Sequence, residues 1–263
     1  MRPPPLTGPT MTNIPSGRSV GAAERLSRIG SFVPNADIGT RLPLPHQPGT
    51  VWEYGFGLDV LGLVIEAITT KPLGEYLQEN VWRPLDMSDT GYVLPPETQA
   101  RYAEPLPYDP ATSLPQTMPS PTQKRLYDCG GTGVLSTAGD YLRSAHMLLA
   151  GGTYNNTRIL GRKAVEYMLA NQLGPHIKNQ VGGGSVVHTD YGFGLGVAVR
   201  TTPGIVRTMG SVGEFSWPGA FGTYWWADPH EQLAAVWMAS IPGEQRAKYR
   251  YVINALVNQA ITD

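Results

Sequence analysis

The 263-residue sequence contains a single cysteine, Cys129, and only five histidines. One cysteine excludes an internal disulfide framework and a zinc site built from several thiolates. The histidines lack the paired spacing that is typical of metal ligands. We therefore predict no metal site and no other cofactor, and we interpret Cys129 as a buried packing residue.

Charge is scarce and balanced. The sequence has 20 basic and 21 acidic residues, and charged residues make up 16% of the chain. Proteins that bind nucleic acid or anionic membranes usually carry an excess of basic residues, so we expect neither partner. The sequence also has no run of 18 apolar residues and no apolar signal-peptide core, which predicts no membrane span and a cytoplasmic location.

Three segments of different composition follow one another along the chain. Residues 1–50 are rich in proline, glycine and serine and form a loop-rich N-terminal segment. Residues 51–172 are predicted to form a helical region, and residues 173–263 an antiparallel sheet with a C-terminal helix. This order predicts an α+β fold with helices flanking the sheet.

The predicted helices rest on apolar residues that recur every 3.6 positions. One begins near Leu58, a second ends near Arg83-Pro84, a third is capped by Ser136 or Thr137, and a short one follows around Arg162–Ala170. We expect the following stripes to face the core: Val60, Leu61, Val64, Ile65 and Ile68 in the first helix, and Tyr249, Val252, Ile253, Leu256, Val257 and Ile261 in the last.

The predicted strands are YGFGLGVAVR, IVRTMG, GAFGTYWWADP and QLAAVWMASIP. The third strand is opened by Trp217-Pro218-Gly219-Ala220, which contains a proline. Proline is tolerated in a sheet at an edge or at a strand start. We therefore expect an edge strand here, where a glycine and free backbone N–H groups can hold an oxyanion.

A second unusual stretch is WEYGFGLDVLG, which places Tyr54 on a glycine-rich turn directly before a helix. Together with FSWPGAFGTYWWADP, it resembles the second and third motifs of the class C β-lactamase-like serine hydrolases, and of the family VIII carboxylesterases in particular. Further segments follow the family pattern in the family order, among them PLGEYLQENVWRPLDMSDTGY and GGTGVLSTAGDYLRSAHMLLAGG.

The resemblance implies a serine β-lactamase and penicillin-binding-protein-like fold and an acyl-enzyme mechanism. In that family a Ser-x-x-Lys motif supplies the nucleophile, and a tyrosine helps to move its proton. By resemblance Tyr54 is this tyrosine, Trp217 and Gly219 belong to the third motif, and the Ala220 N–H is one oxyanion donor. A free tyrosine has a pKa near 10, so a base role for Tyr54 would require a neighbouring cation.

The sequence departs from the family pattern in two places. It contains no Ser-x-x-Lys, and the nearest approach, Ser120 to Lys124, has one residue too many. Because the family places this motif well before the tyrosine, we expect an N-terminally truncated hydrolase that lacks its nucleophile and the first strands of its sheet. The family's β-lactamases carry Tyr-x-Asn where this chain has Tyr54-Gly55-Phe56, which favours an esterase over a β-lactamase.

The sequence thus predicts carboxylesterase-type hydrolysis of short-chain esters, with a small-molecule ester as partner and an apolar cleft formed by Trp217, Phe221 and Trp225. The alternatives are an inactive ligand-binding remnant, or a β-lactamase or acyltransferase of the same fold. We also expect self-association, because missing strands would leave an open sheet edge and an uncovered apolar face.

Overall fold

The computed structural model describes residues 46–122, 127–179, 191–204 and 206–262. The first 45 residues of the predicted loop-rich segment lie outside these ranges. Within them, helices precede a mainly antiparallel sheet, and a last helix follows it. The predicted α+β class is confirmed.

The helical region begins with α1 (Gly57–Thr69) and α2 (Leu73–Leu77), and α2 continues as a π-helical turn over Gln78–Trp82. Thr70 ends α1 in the left-handed conformation, with φ at 59°, and its N–H donates to the Glu66 carbonyl. Pro72 then supplies the fixed φ that suits a helix start. A 3-10 helix spans Pro96–Arg101.

The second half of the helical region contains α3 (Ala138–Leu149) and α4 (Arg162–Leu169). Thr137 caps α3 as predicted, because its hydroxyl accepts a hydrogen bond of 3.2 Å from the Asp140 N–H. A short hairpin of β2 (Thr153–Tyr154) and β3 (Thr157–Arg158) joins the two helices.

The main sheet has five antiparallel strands in the order β5-β6-β7-β8-β9. Their bounds are β5 Tyr191–Phe193, β6 Ala198–Arg200, β7 Phe215–Pro218, β8 Tyr224–Asp228 and β9 Leu233–Trp237. Three strand predictions were wrong in detail. The strand predicted from GAFGTYWWADP begins only at Tyr224, because residues 219–223 form a turn. The segment YGFGLGVAVR forms β5 and β6 with a glycine turn between them, and residues 206–210 of IVRTMG form no strand.

The two faces of the sheet pack against different helices. Phe215, Trp225 and Ala227 face the main core, which includes side chains of α3. On the neighbouring strand positions Tyr224 and Trp226 face the last helix, α5 (Gln245–Asn258). This alternation follows from the two-residue period of a strand and gives a helix-sheet-helix arrangement.

The predicted apolar stripe of α5 does not face the sheet as a whole. Ile253 and Val257 pack beside Tyr224 and Trp226, whereas the other four members of the predicted stripe are exposed, namely Tyr249, Val252, Leu256 and Ile261, the last of which lies beyond the end of α5. The fully buried positions of α5 are instead the polar residues Arg250 and Asn254. The stripe prediction was therefore wrong for four of its six residues.

The apolar stripe of α1 is likewise largely exposed. Of the five predicted members, Ile65 is half-buried and the other four lie on the surface, namely Val60, Leu61, Val64 and Ile68. The buried leucine of α1, Leu63, lies outside the predicted stripe. Ile68 is 77% exposed. An amphipathic helix normally buries such a stripe, so α1 presents an apolar face that the described residues do not cover.

One parallel strand pair links the helical region to the sheet. Residues Val51–Trp52 form β1, which pairs in parallel with β4 (Lys178–Asn179). The Asn179 side-chain amide donates a hydrogen bond of 2.9 Å to the Tyr191 carbonyl of β5. This connection holds the segment before α1 next to the sheet and thereby positions Tyr54.

Candidate active site

Tyr54 lies on the short connection between β1 and α1 and is 60% exposed. Its ring stacks on the indole of Trp217 in β7, with a centroid distance of 5.5 Å and an interplanar angle of 29°. The structure therefore brings the two motif residues, which are far apart in sequence, into direct contact.

Two further aromatic rings extend this contact. Phe193 meets the Trp217 ring edge-on, with ring centroids 5.5 Å apart. The ring centroid of Trp52 lies 4.4 Å from that of Phe193. Sequence reasoning missed both. Trp52 precedes Tyr54 by two residues, and strand alternation was the available signal that these side chains share a face. No sequence pattern marked Phe193, because the side chains that it contacts are determined by the order of the strands in the sheet.

The electrostatic surroundings of Tyr54 favour its neutral phenol. Burial raises its pKa, and the nearby Asp59 and Cys129 raise it further. Negative charge disfavours a second anion, so the phenolate is unfavourable here. Among these influences no cation acts in the opposite direction.

Asp59 and Cys129 form a buried pair beneath the tyrosine. The Asp59 carboxylate accepts hydrogen bonds from the Cys129 thiol and, at 3.1 Å, from the Gly131 N–H. Burial and then this hydrogen bond raise the pKa of the Cys129 thiol. Cys129 is thus a protonated, buried side chain rather than a nucleophile.

The third motif lies at the end of a central strand, so the predicted edge strand is corrected. β7 is the middle strand of five, and Pro218 is its last residue, opposite Tyr224. Pairing between β7 and β6 stops at Ser216. Pro218 therefore lies beyond the part of β7 that pairs with β6, and its missing N–H costs no hydrogen bond to that strand.

The turn between β7 and β8 uses Gly219 structurally. Its N–H donates to the Thr223 carbonyl at 2.8 Å, and its own carbonyl accepts from the Gly222 N–H at 3.3 Å. A Cβ atom at Gly219 would overlap the Thr223 hydroxyl. Ala220 is exposed, and its N–H finds no acceptor within the described parts of the chain. The turn therefore leaves this N–H available to a ligand.

A small cavity of about 100 Å³ lies behind Trp217. Its lining comprises Tyr141, Trp217, Gly219, Thr223, Tyr224, Trp225, Val236 and Met238. Trp217 and Trp225 thus line an apolar space as expected, whereas Phe221 is not among the lining residues. The volume equals that of a few water molecules.

Two features are absent from the residues that the structure describes, namely a metal-ligand cluster and a helix that could span a membrane. No group of three or more histidine, cysteine or acidic side chains there could hold a metal ion. None of the helices in these ranges is long and apolar enough to cross a membrane.

Comparison with known proteins gives a family match over most of the chain. Residues 33–259 match the family model described as Beta-lactamase. Protein Rv1367c of Mycobacterium tuberculosis is 36% identical over 203 residues, which is 75% of this chain and 50% of that protein. Lovastatin esterase of Penicillium rubens is 29% identical over 213 residues, which is 74% of this chain and 51% of the esterase. The chain spans about half the length of these curated relatives.

A solved structure supports the fold. Unliganded simvastatin synthase (LovD) from Aspergillus terreus superimposes with a TM-score of 0.70 over 95% of this chain and 65% of that chain, at 21% identity. This likeness shows the shared architecture. It confirms the predicted β-lactamase-like fold.

Proposed function

Because the chain belongs to the Beta-lactamase family, we propose that it supplies the tyrosine and oxyanion half of a serine hydrolase that cleaves small-molecule esters. The observation that carries this proposal is the stacking of Tyr54 on Trp217 at a centroid distance of 5.5 Å. This contact brings a proton-handling group next to the end of β7, and the free Ala220 N–H lies in the turn that follows this strand. An acyl-transfer site needs both elements within reach of the same scissile carbonyl.

In the proposed reaction a serine oxygen attacks the ester carbonyl and forms a tetrahedral oxyanion. The Ala220 N–H donates to this oxyanion, and the proton lost by the serine passes to the leaving alcohol. Water then attacks the acyl-enzyme, releases the acid and restores the serine hydroxyl. Tyr54 relays the proton. Its raised pKa keeps it protonated at neutral pH, so it can act as a base only when a cation is placed beside it.

The ester carries a short, apolar acyl group in this proposal. The cavity behind Trp217 is small and is lined mainly by aromatic and aliphatic side chains. The match to a lovastatin esterase favours ester cleavage over β-lactam hydrolysis, as does Phe56 at the position where Tyr-x-Asn enzymes carry an amide.

We further propose that the nucleophile and its lysine come from a Ser-x-x-Lys segment that is not among these 263 residues. No such quartet occurs in them. Such a lysine would also supply the cation that Tyr54 lacks in the described residues.

The test compares the 263-residue chain with a chain extended in frame by its upstream coding sequence. We expect the extended chain alone to hydrolyse p-nitrophenyl butyrate, provided that the extension carries Ser-x-x-Lys. Tyr54→Phe should reduce this activity by roughly 10²- to 10⁴-fold. Tyr167→Phe is the matched control, since Tyr167 is 63% exposed on α4. Equal activity in both variants would contradict the role of Tyr54.

A second candidate function is ligand binding without hydrolysis, and the absence of Ser-x-x-Lys from the chain favours it. This candidate predicts that an ester analogue binds at Trp217 while no extended chain turns the ester over. Quenching of tryptophan fluorescence by a non-hydrolysable butyrate amide would report the binding.

A further inference from the structure

The C-terminal helix α5 contacts the turn between β7 and β8 through one buried cation. Arg250 of α5 is 2% exposed, and its guanidinium donates a hydrogen bond to the Gly219 carbonyl. Burial lowers the pKa of Arg250 to about 10. Because this value is still well above 7, the side chain remains charged at neutral pH. Hydrogen bonds from a charged donor are stronger than neutral ones.

The Gly219 carbonyl and the Ala220 N–H belong to the same peptide group. A peptide is planar, and in the trans form its C=O and N–H point in opposite directions. The described chain contains no cis peptide bond. A side chain that holds the carbonyl toward α5 therefore directs the Ala220 N–H away from α5.

We propose that Arg250 is a positioning residue that fixes and polarises the Gly219–Ala220 peptide, so that the Ala220 N–H is held ready for an anionic oxygen. The inference rests on the proposed function, in which this N–H is the oxyanion donor. Polarisation adds to positioning, because a cation on the carbonyl of a peptide strengthens the N–H at its other end as a donor.

The energetics of Arg250 favour this role over a purely structural one. Its Nε atom is buried without a hydrogen-bond partner in the described residues. Burying a cation with an unsatisfied donor is costly, and an apolar side chain of similar size is often more favourable for stability. The cost of burying Arg250 is therefore consistent with a role beyond stability.

The other contacts of the turn restrain it less strongly. Besides the bond from Arg250, the Gly219 carbonyl accepts one neutral bond, from the Gly222 N–H at 3.3 Å. The Ile241 N–H donates to the Phe221 carbonyl at 2.7 Å, two residues further along. Neither of these bonds brings a charge to the Gly219–Ala220 peptide.

The experiment follows the Ala220 amide by NMR in the ¹⁵N-alanine-labelled chain. Loss of one peak in Ala220→Ser assigns the resonance. Butyrate, an oxygen anion and the product of the assay ester, serves as the probe. We expect butyrate to shift the Ala220 proton downfield in the wild type. In Arg250→Met the free resonance should move upfield, and the butyrate dissociation constant should rise roughly tenfold.

Three variants make the test specific. Arg250→Lys keeps the cation and should restore most of the wild-type shift. Arg250→Gln takes the place of Arg250→Met if the latter fails to fold, as judged by its thermal unfolding. Arg246→Met is the matched control, because Arg246 lies one turn earlier on α5 and donates to the Pro242 and Gly243 carbonyls. The Ala220 signal should not change in this control.

The two possible failures are distinguishable. If Ala220 binds butyrate equally well in the wild type and in a folded Arg250→Met or Arg250→Gln variant, Arg250 has no positioning role and the inference is overturned. If butyrate leaves Ala220 unaffected in the wild type, the oxyanion donor itself is wrong, and the proposed function fails with it.

Discussion

The ring of Tyr54 lies on the indole of Trp217 at a centroid distance of 5.5 Å, although 163 positions separate the two residues. The contact joins the connection before α1 to the end of the central strand β7. Aromatic stacking of this kind contributes about 0.5 to 1.5 kcal/mol beyond area burial. It therefore fixes the tyrosine against the sheet while the residue stays 60% exposed.

The titration of Tyr54 should respond to Asp59. Because the Asp59 carboxylate raises the pKa of Tyr54, Asp59→Asn should lower it while preserving the shape of the side chain. The Tyr54 titration can be followed by ultraviolet difference spectroscopy against a Tyr54→Phe background. A pKa that is unchanged in Asp59→Asn would show that the carboxylate does not act on the phenol.

The turn after β7 should not tolerate a side chain at Gly219. A Cβ atom there would overlap the Thr223 hydroxyl, so Gly219→Ala should lower the free energy of unfolding by about 1 to 3 kcal/mol. The cost should shrink in a Thr223→Ala background, where the clashing oxygen is absent. Urea unfolding of the four proteins in this double-mutant cycle measures the coupling. Additive effects would contradict the proposed clash.

The buried carboxyl of Glu214 should make stability depend on pH. Glu214 is fully buried, and burial raises its pKa to about 7. Its Oε1 accepts from the Tyr191 hydroxyl at 3.2 Å and lies 3.6 Å from Arg200, while Oε2 has no partner in the described residues. Asp228 raises the pKa further.

The sign follows from proton binding. Between the ordinary value of about 4.5 and about 7 the folded protein binds more protons at Glu214 than the unfolded chain does, so the free energy of unfolding falls as pH rises through this range. Glu214→Gln should remove this component, on the order of 1 to 3 kcal/mol. Glu97→Gln, on an exposed 3-10 helix, should leave the slope as in the wild type. A wild-type slope that persists in Glu214→Gln would refute the assignment.

The exposed stripe of α1 should drive self-association. Ile68 is 77% exposed, and Leu61, two turns earlier on the same face, is 51% exposed. Replacing Ile68 by lysine should raise the dissociation constant of the self-associated chain by roughly tenfold, the loss expected from one buried aliphatic side chain. Leu114→Lys, at an exposed loop position, is the control in sedimentation velocity. A wild-type chain that remains monomeric at high concentration would disprove the expectation.

Local sequence signals predicted the helices well. The Thr137 cap, the stop at Pro72 and the 3.6-residue period all act within a few residues, so they can be read without knowing the fold. The same period misled for α1 and α5, since it shows that a helix has an apolar face but not what that face meets. In α5 the buried positions are Arg250 and Asn254, which no hydrophobicity pattern marks.

The candidate site was only partly predictable. Tyr54 and Trp217 were identified from their motifs, but their contact depends on the parallel pair β1-β4 and on the strand order, both of which are long-range. The edge-strand prediction failed because the tolerance of proline at Pro218 depends on where β6 stops pairing, at Ser216. Phe193 and Arg250 could be connected to the site only through the tertiary structure.

The central claim is that these 263 residues hold the tyrosine and oxyanion half of an ester-hydrolysing site without its serine. The most direct test treats the purified chain with a fluorophosphonate probe and p-nitrophenyl butyrate, alongside Tyr54→Phe. We predict no labelled serine and no hydrolysis that depends on Tyr54. A stoichiometrically labelled serine together with Tyr54-dependent turnover would show that the chain carries its own nucleophile and would contradict the account.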